Sequence, residues 1–500
     1  MWRANPSPAG PLASASNGGG DGAGLRRWQR AQLEERHPRG GTSVKDVTCV
    51  EDIRNADVLI FPGVGNFRAA MEFLNASGYV EELKNAVRGF GGVPELKGLG
   101  VIKGKVARFP SEKVTVPHIG WNGINAWKKS ALFASLPVST EYAKVYFVHS
   151  FRATKTDKNA DWVLSTTNYG DLEFVSAVQR VTGSWRTRTS RTTTLDSYGG
   201  LGNSDVALQA YHCGDLVVTK GDQYDVRETS DSAEGGNVRN MGKPVDLCKR
   251  YFEEGADEVA FLNITSFREQ PMGDLPMAGV LEASSECVFV PLTIGGGIPL
   301  YFRSGADKVS IGSDAVYTAE KYYANGGKGD GTSSIETISA VYGNQAVVVS
   351  MDPKRVYVAS FYDENAKGHN VVKLSQPGPN GEEYCWYQMT VRGGRETRDI
   401  DVVQLAQAVE ALGAGELLLN CVDMDGQKAG YDLDLISLVK KSVRIPVIAS
   451  SGAGKPQHFT EVFEKTNCDA ALAAGIFHRK EVAIQEVKAQ LHTDNISVRL

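Results

Sequence analysis

From residue 205 to the end of the 500-residue chain, short apolar runs alternate with longer stretches of helical spacing. The runs are DLVVTKG, EVAFLNIT, VFVPLTIGGG, KVSIG, AVVVSMD, ELLLNCVD, IPVIASSG and AALAAG. Near-continuous apolar strands separated by amphipathic helices belong to a parallel sheet covered by helices. Eight of them in sequence predict a (β/α)8 barrel over 205–500. Residues 46–180 read as a separate α/β domain. In it, ADVLIFPGVGNF (56–67) is a strand running into a Gly-rich turn, and MEFLNASGYVEELKNAV is helical. VPHIGWNGI (116–124) and KVYFVHSF (144–151) read as further strands. The Thr-, Ser-, Arg- and Gly-rich residues 181–204 break the pattern and read as a linker or misfit segment. Residues 1–45 start with small residues and continue with the basic LRRWQRAQLEERHPRG. They read as a disordered leader or an organelle transit segment; Asp21, Glu34 and Glu35 count against the second.

The barrel carries an internal repeat. GADEVAFLNI (255–264) resembles GAGELLLNCV (413–422), FVPLTIGGGI (289–298) resembles RIPVIASSGA (444–453), and GADKVSIGSDAV (305–316) resembles CDAALAAGIFHR (468–479). The offsets are 158, 155 and 163 residues. Three similar offsets predict two half-barrels.

Composition narrows the function. Apolar residues make up 42% and charged residues 23%, enough to build buried cores. A net charge of -5 argues against nucleic acid as a partner. No apolar stretch is long enough for a membrane span. The seven cysteines are scattered singly, without C-x-x-C, so neither a disulfide frame nor a metal site is indicated. No cofactor is indicated either.

In a barrel of this kind the chemistry lies at the C-terminal ends of the strands. Gly295, Gly296 and Gly297 follow one strand, Gly312 and Ser313 the next. In the second half the matching positions are Ser451, Gly452 and Gly454, then Ala474 and Gly475. Glycine permits tight turns, and bare backbone N–H groups bind phosphate. The duplicated set predicts two phosphate sites facing each other. Asp352 ends the fifth strand, positioned for proton transfer; the plainer reading is a helix cap. Asp425 ends the sixth and either supports that chemistry or binds a hydroxyl. Lys220 follows the first strand and either reaches a phosphate or is an exposed loop lysine. Glu258, Lys308 and Glu416 start their strands and therefore cluster at the barrel floor, as a solvated rim or as a polar gate for a small molecule. His478 reads as structural, and Trp386 and Tyr387 pack on a domain face or in a core.

QYDVRE, GDLPM, PLTIGGGI, GADKVSIGSDAV, VYGNQAVVVSMDPKRVYV, QPGPNGEEYCWYQMTVRGGRE, LLLNCVDMDG, PVIASSGAG and ALAAGIFHRKEV resemble imidazole glycerol phosphate synthase in the bifunctional form of plants, algae and fungi. FPGVGNF, LKGLGVIKGKV, VPHIGWN and YFVHSF resemble its class I glutamine amidotransferase domain. The resemblance implies an incomplete amidotransferase-like α/β domain fused to a (β/α)8 barrel of two half-barrels. It implies glutamine hydrolysis in the first and passage of ammonia through the second. At the far face ammonia combines with the doubly phosphorylated ribulosyl intermediate PRFAR, giving imidazole glycerol phosphate and AICAR. Asp352 matches a catalytic aspartate. Lys220, Gly297, Gly312, Ser313, Asp425, Gly426, Gly452, Ala474 and Gly475 match substrate-loop positions. Glu258, Lys308 and Glu416 flank the ammonia entrance, and Gly63, Val64 and Gly65 match the loop beside the glutaminase oxyanion site. The partners implied are PRFAR and glutamine, without nucleic acid or membrane, in a monomer with an intramolecular domain interface. The Arg/Ser leader and the plant-like motifs point to a plastid, with the cytoplasm as alternative.

The chain also departs from the family pattern. A class I amidotransferase carries its cysteine on a G-x-C-x-G elbow, where a strained turn exposes the thiolate. NAVRGFGGVPELKGLGV has no such elbow, and no H-P-E follows VSAVQR. His118 and His149 belong to other motifs. The first barrel strand of the family ends in an aspartate, but VALQAYHCGDLVV stands in its place. After Ile298 there is no room for the usual helix. Family-like sequence stops abruptly and resumes in register, as skipped or mistranslated exons would cause. The alternative is a PRFAR-binding protein with impaired catalysis. The half-barrel isomerase of the same pathway fits less well, because it has no amidotransferase domain.

Overall fold

The computed structural model describes residues 49–54, 74–86, 102, 104–128, 144–180, 191–193, 207–212, 215–217, 225–229, 238–262, 276–288, 290–295, 300–496 and 498. The chain divides into two compact units, with Asn203–Ala340 and Asn344–Leu500 forming the bulk of the second.

The first unit has two short helices, α1 (Val50–Arg54) and α2 (Tyr79–Ala86). Its strands are β1 (Val106–Arg108), β2 (His118–Gly123), β3 (Asn125–Ala126), β4 (Lys144–His149), β5 (Phe151–Ala153), β6 (Val163–Tyr169), β7 (Leu172–Arg180) and β8 (Arg191–Thr193). Every pairing among these described strands is antiparallel: β1 with β5, β2 with β4, and β3–β6–β7–β8 in one sheet. Part of the segment expected to be a linker thus adds a strand beside β7. The strand expected at 56–67 lies outside the described residues.

Phe109, His118, Phe147, Tyr169 and Phe174 are buried together, and Phe109 meets Phe174 edge to face at 5.6 Å. His118 stacks on Tyr169 with ring centroids 3.8 Å apart. The Nδ1–H of His149 donates to Phe151 O at 2.8 Å. Its Nε2 must then accept from Nδ1–H of His118, 3.0 Å away, which sets both tautomers. Burial, and then the neighbouring His149, holds His118 well below the usual imidazole range. Burial lowers His149 to about 4, against the opposing Phe151 hydrogen bond.

The second unit begins with β9 (Ala207–His212). A three-stranded antiparallel sheet follows, of β10 (Asp215–Val217), β11 (Asp225–Thr229) and β12 (Val238–Gly242). Then come α3 (Pro244–Glu253), β13 (Glu258–Leu262), α4 (Pro276–Cys287), β14 (Leu292–Gly295), α5 (Leu300–Arg303), β15 (Lys308–Ile311), α6 (Ser313–Ala324), α7 (Ser334–Tyr342) and β16 (Val347–Val358). The strands β17 (Val372–Lys373), β18 (Tyr384–Val391) and β19 (Glu396–Asp401) precede α8 (Val402–Leu412). The chain ends with β20 (Glu416–Asn420), α9 (Leu433–Ser442), β21 (Val447–Ser450), α10 (Pro456–Thr466), β22 (Ala470–Ala473), α11 (Gly475–His478) and α12 (Ile484–Thr493).

Parallel ladders join β9, β13, β14, β15, β16, β20, β21 and β22, and β22 returns to β9. The ring is closed, as a (β/α)8 barrel requires. The described side chains of β14, β15, β21 and β22 are buried at every position, which explains why these strands are mostly apolar. Sharp helix ends fit each helix between its strands. Asp401 and Gln404 form a capping box that starts α8, and Gly413, in the left-handed region at φ 109°, ends it.

The two halves repeat the same backbone clasp. Pro291 O accepts from Val259 N at 3.0 Å, and Pro446 O accepts from Leu417 N at 2.9 Å. Asp307 Oδ2 accepts from Leu292 N at 3.0 Å, and Asp469 Oδ2 accepts from Val447 N at 2.8 Å.

Two expectations need correction. The first barrel strand is Ala207–His212, not DLVVTKG. The ring needs a strand between β13 and β22, and Gln209 pairs with Glu258 while Ala207 pairs with Ala470. Asp215–Val217 folds back on β11 instead. The fifth strand does not end at Asp352. The β-favouring RVYV carries β16 on to Val358 as an arm paired with β18. Among the described residues between Gly295 and Lys308, the single helical turn is α5, in keeping with the shortened sequence there.

Three substitutions test this packing. A Cβ on Gly415 would stand 2.1 Å from Asn344 O, so Gly415→Ala lowers stability by about 1–3 kcal/mol. Gly279, in the exposed part of α4, has open space around it, so Gly279→Ala raises stability by about 0.5–1 kcal/mol. Urea unfolding of both variants should give opposite signs. In the first unit, the neutral histidine pair contributes its full stability above the ordinary imidazole pKa. That contribution is lost as pH falls through about 4. His118→Phe should therefore lose less stability than the wild type on acidification over this window, read by acid titration of intrinsic fluorescence.

Candidate active site at the barrel mouth

The mouth is built where β16 leaves the ring. Its last parallel partner is Met351 with Leu419, and from Asp352 with Thr390 onward it pairs antiparallel. Asp352 is the hinge residue between the two ladders. Thr390 Oγ1 donates to its backbone O at 2.6 Å, which holds the exit in place. Asn420 Nδ2, at the end of the neighbouring β20, donates to Asp352 Oδ1 at 3.0 Å and lies 3.4 Å from Ser350 Oγ. Burial raises the Asp352 carboxyl above the usual range; the Asn420 hydrogen bond opposes this and the Asp425 charge adds to it. Asp425 is exposed and closes a single 3-10 turn, Val422–Met424, just beyond β20. Gly426 follows at φ 71°, in the left-handed region.

The glycine loops flank this carboxylate. Gly312 caps the start of α6, with open space where a Cβ would stand. Ser313 is the first residue of that helix, and its Oγ accepts from Arg392 N at 2.9 Å. Gly452, at φ 95°, presses on the chain of Gly430: a Cβ there would lie 2.1 Å from Gly430 O, while Gly430 N donates to Gly452 O at 2.8 Å. Only glycine fits that approach. Ala474 and Gly475 start α11, and the Arg479 guanidinium lies beside Gly475. Lys220, Gly297, Gly63, Val64 and Gly65 lie outside the described residues.

At the opposite ends of the strands, Lys308 Nζ lies 2.7 Å from Glu258 Oε1 and 2.8 Å from Glu416 Oε2. All three are at most 3% exposed, so they are no solvated rim. Burial pulls the Lys308 ammonium down, but Glu258 and Glu416 outweigh it and hold it above its ordinary value. Two carboxylates share one cation. Burial, opposed by Lys308 and assisted by Glu258, pushes Glu416 above the carboxylate range.

Sequence reading missed Asn420. Its signal was a polar residue ending the apolar run ELLLN. Trp386 and Tyr387 prove to be buried, as does His478, whose Nδ1 meets the hydroxyl of Tyr251.

A closed two-half barrel with a carboxylate at its mouth and glycine loops beside it defines the class. Residues 213–483 match the family model described as histidine biosynthesis protein. The chain is 50% identical over 516 residues to imidazole glycerol phosphate synthase hisHF of Schizosaccharomyces pombe, covering 90% of this chain and 94% of the relative. It is 50% identical over 521 residues to the chloroplastic imidazole glycerol phosphate synthase hisHF of Arabidopsis thaliana, covering 92% and 86%. Against the HisF subunit of Methanocaldococcus jannaschii it is 43% identical over 271 residues, covering 53% of this chain and 91% of the relative. The chain belongs to the imidazole glycerol phosphate synthase hisHF family of histidine biosynthesis. Among the described residues no helix is long and apolar enough to cross a membrane.

The floor triad gives a stability test. Lys308→Met strands two buried carboxylates and should cost about 3–5 kcal/mol in urea unfolding. Glu416→Gln leaves one carboxylate on one ammonium and should cost clearly less.

Proposed function

We propose that the barrel forms imidazole glycerol phosphate and AICAR from PRFAR and ammonia, with Asp352 as an acid–base group. The observation that carries this reading is the place of Asp352, held by Asn420 at the hinge where β16 leaves the ring. A carboxyl raised toward neutrality exchanges protons with substrate more effectively near physiological pH. In this reading Gly312 and Ser313 with Gly297 hold one phosphate, and Gly452, Ala474 and Gly475 hold the other. Lys220, Asp425 and Gly426 contact the substrate between them. Glu258, Lys308 and Glu416 form the entrance for ammonia. Residues 46–180 descend from the glutaminase, with Gly63, Val64 and Gly65 beside its oxyanion site. Without the G-x-C-x-G elbow and the H-P-E, the chain takes its nitrogen from ammonium and not from glutamine. The chain acts as a monomer, and the chloroplastic name of the Arabidopsis relative supports a plastid address.

A second reading is binding of PRFAR without turnover. It is favoured by β9, whose ALQAYH supplies no aspartate as partner to Asp352. Turnover of PRFAR by the full chain with ammonium separates the two. The first reading predicts AICAR release, lowered on the order of 10²–10⁴-fold by Asp352→Asn. It also predicts an acid limb in the pH profile above the ordinary carboxylate range, because activity of a base is lost as pH falls through its raised pKa. Binding with no AICAR release establishes the second reading.

A further inference from the structure

A buried carboxylate outside the expected site ties together the segments that carry Asp352 and its neighbours. Asp432 precedes α9 and is buried. Its Oδ1 accepts from Leu435 N at 3.1 Å and from Tyr387 Oη at 3.0 Å. Its Oδ2 accepts from Arg355 Nε at 2.9 Å and from Cys421 Sγ at 3.3 Å, and a second guanidinium nitrogen of Arg355 lies 2.6 Å away. These donors come from α9, β18, the arm of β16 and the residue after β20. Arg355 is three residues beyond Asp352 on one strand. Cys421 directly follows Asn420, the donor to Asp352. Arg355 N also donates to Asp423 Oδ2 at 2.8 Å, two residues before Asp425.

Burying a carboxylate is costly, and a lone buried ion pair is often replaceable by apolar packing. A carboxylate that takes donors from four segments does more, because it fixes their relative positions. We propose that Asp432 is a positioning residue, whose grip on Arg355, Tyr387 and Cys421 holds Asn420 against Asp352 and sets the loop that carries Asp425. This rests on the acid–base reading of Asp352.

The test uses the full chain with 13C-labelled aspartate carboxyls, the Asp352 signal being the one lost in Asp352→Asn. In Asp432→Asn the Asn420 hydrogen bond is released, and the Asp352 midpoint moves upward. In Tyr387→Phe it moves the same way, by less. With ammonium, kcat falls on the order of 10²-fold in Asp432→Asn while KM for PRFAR holds. Melting curves establish that the variants are folded; if Asp432→Asn does not fold, Tyr387→Phe decides. Folded variants with an unmoved Asp352 titration overturn the proposal, since a purely structural brace changes only the melting temperature. If the titration moves but Asp352→Asn leaves PRFAR turnover intact, the acid–base reading fails and the positioning stands. The titration decides the proposal even in a chain that binds PRFAR without turning it over.

Discussion

Closure of the parallel ring is the constraint on which the rest of the second unit depends. The ladder between Val309–Ile311 and Val347–Val349 joins the two half-barrels at one seam, and β9 between β13 and β22 joins them at the other. A closed parallel sheet has no free edge and brings every strand's C-terminal end to one face. Loops far apart in sequence, such as those at Gly312 and Gly452, therefore belong to one mouth. The repeated clasps at Pro291 and Pro446, and at Asp307 and Asp469, fix the register within each half in the same way.

Closure also separates two kinds of buried charge along the same strands. Strand β20 starts with Glu416 at the floor and ends with Asn420 at the mouth. At the floor, the ammonium of Lys308 opposes desolvation of the carboxylates beside it, although burial still raises Glu416. At the mouth, Asp352 has the Asn420 amide as its partner, and desolvation raises its carboxyl.

Much of the barrel was legible because its strands are buried on both faces. Burial on both faces makes these runs mostly apolar, and seven of the eight runs mark ring strands. The eighth was misplaced. ALQAYH mixes polar and apolar residues and carries no strand signature, and its place is set by partners more than 40 residues away in sequence, which a local pattern does not contain. The arm of β16 was missed for a related reason: its pairing with β18 is long-range, and the sequence between them reads only as a loop. Among the candidate residues, the floor charges do start their strands, whereas Asp352 lies at the hinge within β16 and not at its end. Asn420 ends its strand, but an amide carries no charge to draw notice. Asp432 was not singled out in the sequence: it caps α9, and its contacts with Arg355, Tyr387 and Cys421 depend on the arm.

The central claim is that two half-barrels present two phosphate sites to a single substrate. Titration of the full chain with PRFAR, followed by phosphorus NMR, tests it most directly. The account predicts one PRFAR per chain, with both phosphate resonances shifting together and saturating at the same ratio. A single shifted phosphate, or none, would contradict it.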